Sequence, residues 1–102
     1  MTDEIDSPDS DFRDIAQSWG LIAPGALDAN ALLEVLSAKV DELLRNDRRK
    51  FMNALYRLDV SEERVADVLR TAPVLEQARR IAELILRREL QKAATRRAAE
   101  NK

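Results

Sequence analysis

Two residue types are missing from this 102-residue chain altogether: cysteine and histidine. Their absence excludes disulfides, thiolate nucleophiles, Cys/His zinc sites and imidazole acid–base catalysis. Glycine occurs only at Gly20 and Gly25, so no glycine-rich loop can cradle a phosphate. Long apolar runs are missing too. The longest strong one, Ile81–Leu86, is broken by Glu83, and nothing approaches the roughly 20 apolar residues of a membrane span. The opening residues are acidic and lack the basic and apolar regions of a secretory signal. The expectation is a cytoplasmic protein with no membrane association. Catalysis has little to work with. Asp41/Glu42 and Glu62/Glu63 are sequence neighbours, which do not face each other on a helix. A four-carboxylate metal site would need Glu-x-x-His motifs or equivalents, and no serine has a histidine base. The sequence is read as a non-enzyme without a cofactor.

Charge is present in quantity, but it is segregated. Residues 1–44 hold ten acids against two bases, Arg13 and Lys39, for a net −8. Residues 45–102 hold fifteen bases against nine acids, for +6, so the total of −2 hides a dipolar chain. Such asymmetry points to a charged partner or to the two halves lying against each other.

Apolar spacing predicts an all-α protein: a compact bundle of about four helices, with a short extra N-terminal helix and a disordered acidic N-terminus. Residues 1–9 are acidic and polar and read as the disordered tail. Residues 10–27 read as a short amphipathic helix and linker. Ser10 caps it, Phe12, Ile15, Ala16 and Trp19 fall at i, i+3, i+4, i+7, and Gly20 stops it. Leu21–Ala26, with Pro24-Gly25, forms a turn. Residues 28–99 read as the bundle. Asp28 caps a helix to about Arg45, whose Leu32, Leu33, Leu36, Val40, Leu43 and Leu44 share one arc. Asp47 caps a helix over 48–58, in which Phe51, Met52, Leu55 and Leu58 face inward. Ser61 caps the next, over 62–71, with Val60 and Val65 as a hydrophobic staple and Val68 and Leu69 also buried. Pro73 opens a last helix to about Ala99. Its apolar residues, including Val74, Leu75, Ile81, Ile85 and Leu86, cover roughly 240° of the wheel, as in a central helix. After Arg87 the apolar pattern fails, so a basic overhang is expected from about residue 88.

Three groups of residues offer surfaces to partners. Phe12, Ile15 and Trp19 form a small apolar face that docks either on the chain's own core or in a partner's groove. The cluster Arg45, Arg48, Arg49, Lys50 and Arg57 suits phosphate or an acidic protein, with Tyr56 at its border read either as a ring for stacking on a base or, preferably, as half-buried packing, although such a run is also simply a solvated helix face. The C-terminal bases Arg88, Lys92, Arg96 and Arg97 suit the same partners, or the chain's own acidic front. The segment 48–71 has helix-turn-helix spacing. Against that reading, helix 62–71 shows Glu62, Glu63 and Asp67 against Arg64 and Arg70, a balance that phosphate repels. Asp59 also stands where such turns prefer glycine.

The stretch FMNALYRLDVSEERVADVL, followed by AELILRRELQKAATR, resembles a group of small bacterial proteins of unknown function. These join an L-Y-R-[IL]-D-V-S-E turn to a basic C-terminal helix of the form A-x-L-I-[LI]-x-R-x-L-Q-K. The resemblance covers about residues 37–97 and implies a compact helical fold, with no site residues. Taken together, the sequence is read as an interaction or self-associating module, with a protein partner or a homo-oligomer. The alternative is nucleic-acid association through the basic second half, by the hairpin 48–71 or by the C-terminal helix.

Overall fold

Short polar side chains mark where three of the helices begin. The computed structural model describes residues 8–21 and 28–100, which form α1 (Pro8–Ser18), α2 (Ala29–Asn46), α3 (Arg48–Leu58), α4 (Glu62–Thr71) and α5 (Val74–Glu100). No strand occurs among the described residues, and the protein is all-α. The Asp28 carboxylate accepts from the Ala31 N–H at 2.8 Å, Asp47 from Lys50 at 3.1 Å, and the Ser61 hydroxyl from Arg64 at 3.3 Å. Each satisfies a donor that the first helical turn leaves unpaired. α1 begins earlier than its sequence suggests. Pro8 opens it and Ser10 lies inside it rather than capping it, because proline is well suited to a first turn where its missing N–H costs nothing. Of the expected tail, Pro8 and Asp9 are therefore helical, while residues 1–7 lie outside the described residues. Most of the expected 21–26 turn also lies outside them.

Two helices end in the same way. Gly20 follows α1 with φ +68°, the Leu21 N–H reaches the Ala16 carbonyl at 2.8 Å, and the Gly20 N–H reaches Gln17 at 3.0 Å. This is the Schellman arrangement. At the end of α3, Val60 N–H donates to Leu55 and Asp59 N–H to Tyr56, both at 3.2 Å, with Asp59 at φ 64°. A left-handed residue other than glycine carries strain, which Asp and Asn tolerate best. Asp59→Val is expected to lower stability by roughly 1–2 kcal/mol relative to Asp59→Gly. Urea denaturation of the two variants measures the difference, and equal midpoints would contradict the backbone conformation described.

The core draws on every helix. Leu32, Leu36, Val40, Phe51, Leu55, Ile81 and Ile85 are its most enclosed side chains, joined by Ile15 and Ala16 from α1 and by Val60 and Val65. The staple predicted around Ser61 thus closes on buried side chains. α2 and α5 share the largest interface, with α3, α4 and α1 each packed on α5 as well. Gln77 of α5 adds a tie with no sequence signature: its side-chain amide donates to the Leu69 and Ala72 carbonyls at 3.3 and 3.1 Å, serving acceptors that the end of α4 leaves open.

Apolar residues depart from expectation at five positions. Met52 is 45% exposed, Val74 80% and Leu75 97%. Val74 and Leu75 lie at the azimuth of the buried stripe of α5, but one to two turns before Ile81. They occupy the first turn of α5, which the other described residues leave uncovered. Val68 and Leu69 are half-buried rather than buried. The C-terminal half of α5 behaves in the opposite sense. The expected departure from the core near residue 88 does not occur there: Ala93 is buried and Arg97 pairs with Asp11 of α1. The acidic front of the described chain lies against the basic rear, and α1 covers the stretch that the apolar pattern leaves unsupported. No helix among the described residues is long and apolar enough to cross a membrane.

Candidate functional site

Lys50, Ala54 and Arg57 occur at i, i+4 and i+7 on α3, so they share one flank of that helix. Ala54 stands between two long cationic side chains and is short, which leaves a dent between them. Phe51, Leu55 and Leu58 point from α3 into the core and fix its roll. The same flank therefore faces the end of α1, where the turn at Gly20 sets Trp19 beside it.

A surface groove of about 470 Å³ results. Its inner wall is apolar, formed by Trp19, Leu43, Ala54 and Leu58. Leu43 and Leu58 are buried, whereas Lys50 and Arg57 are exposed, so the cations stand at the mouth. Lys39 of α2 joins them, its ammonium 3.6 Å from Glu42. Glu89 of α5 supplies a carboxylate, which accepts from the Trp19 indole N–H at 2.9 Å. That bond spans 70 residues and fixes the indole edge, leaving the ring as a wall of the groove. The size lies within the ordinary range for ligand pockets.

The residues singled out by sequence are dispersed. Phe12, Ile15 and Trp19 are packed on the chain's own core, Ile15 at 4% exposure. In this arrangement the apolar face of α1 is occupied internally, and Trp19 alone of the three reaches the groove. Lys50 and Arg57 line the groove, while Arg48 and Arg49 are exposed at the start of α3 and Arg45 pairs with Asp41 at 3.2 Å. Arg88 is committed elsewhere. It donates to the Leu58 carbonyl at 3.2 Å and lies 3.5 Å from the Asp59 carboxylate, bracing the α3–α4 corner. Lys92 is half-buried and Arg96 exposed. Arg97 is drawn to Asp11.

Lys39, Leu43, Ala54, Leu58 and Glu89 are groove residues that sequence reading did not single out. Lys39 sits in the acidic half of the chain, and Glu89 lies among C-terminal bases. The spacing of Lys50, Ala54 and Arg57 was the one available signal. A second depression, beside the α3–α4 corner, gathers Arg64, Arg87 and Arg88 with Asp59. Arg88 is already bound there to the corner's backbone, and Asp59 offsets part of the positive charge. Among the described residues no group of three or more acidic side chains is placed to hold a metal ion.

Comparison with known protein families, with curated proteins and with solved structures finds no match to this chain.

Proposed function

We propose that this chain is a non-enzymatic protein-interaction module, a bundle of four main helices in which α1 serves as a docked fifth. It works in the cytoplasm and presents the groove between α1, α2, α3 and α5 to a protein partner. The observation that carries this reading is the groove itself: an apolar wall of Trp19, Leu43, Ala54 and Leu58 beneath the cations Lys39, Lys50 and Arg57. An apolar centre within a charged rim is the anatomy of a protein-binding surface. Val74 and Leu75 add a second exposed apolar spot, at the start of α5, which suits self-association.

Nucleic-acid association draws less support. Arg88 and Arg97, two of the bases that reading would use, are engaged within the fold. Helix α4 brings Glu62 and Glu63 in its first turn, where a recognition helix would meet DNA.

Photo-crosslinking in the native cell tests the interaction reading. A photoreactive residue at position 54, in the groove, is expected to give a discrete protein adduct, whereas one at the exposed position 80 gives none. Sedimentation of the purified chain reports self-association in the same preparation. A strict monomer whose position-54 probe captures nothing, or captures RNA, would overturn the proposal.

A further inference from the structure

The groove has features beyond being a dent in a helical surface, and they restrict what fits it. Its inner wall is mostly aliphatic, and the carboxylate of Glu89 is already held by Trp19. Lys50 and Arg57 stand exposed at its mouth, beside a Lys39 that is already paired with Glu42, so the unmatched charge there is positive, although the chain as a whole is −2. Lys50 and Arg57 are two turns apart on α3, about 10 Å along the axis at 1.5 Å per residue. An extended peptide, rising about 3.3 Å per residue, crosses that distance in roughly three residues.

Building on the interaction reading above, we propose that the groove takes a short acidic peptide segment of a partner protein, with bulky apolar side chains lying between carboxylates two to three residues apart. The apolar side chains enter above Ala54, against Leu43, Leu58 and the Trp19 ring. The flanking carboxylates meet Lys50 and Arg57, and Lys39 supports the charge from the side of α2. Complementary charge at the rim speeds encounter and sets the register, while burial against the inner wall supplies most of the affinity. A single-stranded nucleic acid fits less well. The wall offers aliphatic side chains and a single indole rather than a row of stacking faces.

Trp19 is the single tryptophan of the chain and lines the groove, so its emission reports filling directly. The full chain is titrated with a synthetic Gly-Asp-Leu-Leu-Glu-Gly peptide, with its Asn/Gln counterpart, and with oligothymidine. The acidic peptide is expected to give a saturable change, and the amide peptide to bind at least about tenfold more weakly. Arg57→Glu and Ala54→Leu are each expected to weaken the acidic peptide by about tenfold or more, the first by reversing a rim charge and the second by filling the dent. Both positions are incompletely buried, so circular dichroism should remain that of the parent. Arg49→Glu makes the same charge change outside the groove and is expected to leave binding within about twofold. The proposal is overturned by no saturable response, by equal binding of the amide peptide, by tighter binding of oligothymidine, or by Arg49→Glu acting as strongly as Arg57→Glu. Should the peptide fail while position 54 still cross-links to a protein in cells, the acidic chemistry assigned here falls and the interaction module stands. Should cross-linking fail as well, both fall.

Discussion

Phe51→Ala is expected to lower the melting temperature by roughly 15–30 °C. The Phe51 ring is fully enclosed and sits on the core face of α3. Truncating a buried phenylalanine typically costs about 3–5 kcal/mol, because the transfer energy is lost and the cavity only partly collapses. A chain of this length has roughly 5–15 kcal/mol of stability in total. Each kcal/mol moves the midpoint of a domain this size by about 4–8 °C. α3 has only 11 residues and cannot hold its helix without tertiary packing. Its flank carries three of the groove residues, so the same substitution should blunt any ligand response. Met52→Ala, one residue away and nearly half exposed, is the control and should cost no more than about 1 kcal/mol. Thermal melts followed by circular dichroism decide the matter. Similar melting temperatures for the two variants would mean that α3 does not pack through the face described.

Ile15→Asp should release α1 from the body of the protein. Ile15 and Ala16 are buried against the core, and the ends of the helix are tied by the Asp11–Arg97 ion pair and the Trp19–Glu89 hydrogen bond. A carboxylate at position 15 would have no partner, and leaving a charge buried and unpaired costs roughly 3–5 kcal/mol. Undocking avoids that cost. A free 11-residue helix is too short to persist in water, so α1 would then unravel. Three signals are expected together: a red shift of Trp19 emission, faster tryptic cleavage at Arg13, and loss of about one short helix of ellipticity. The remaining helices should still melt cooperatively, though at lower temperature, because Ala93 and the C-terminal half of α5 lose their cover. Unchanged Trp19 emission in a folded variant would show that α1 does not dock as described. Release of α1 also removes Trp19 from the groove wall, so ligand binding should fall with it.

Features that depend on near neighbours were the most legible. The Asp28, Asp47 and Ser61 caps, the Val60–Val65 staple and the left-handed stop at Gly20 each involve residues within about five positions of one another. Local backbone chemistry fixes such features wherever the helix goes. The buried stripe of α2 was equally plain, because Leu32, Leu33, Leu36, Val40 and Leu43 repeat at the helical period. The start of α1 was less so, since both Pro8 and Ser10 are acceptable near a first turn. In α5 the periodicity misled at both ends. Val74 and Leu75 are apolar yet exposed, whereas the stretch after Arg87 is rich in charge yet covered.

By itself, then, the sequence determined that the chain is helical, where most of its helices start and stop, and which stripe of α2 turns inward. All of these follow from interactions a few residues apart. Packing of the helices on one another settles which end of α5 has a neighbour, brings Trp19 to Glu89, and sets Lys39 with Lys50 and Arg57 around one groove. A helical repeat specifies the direction in which a side chain leaves its own axis, but it carries no information about what stands opposite. That is settled by how five amphipathic helices share one core.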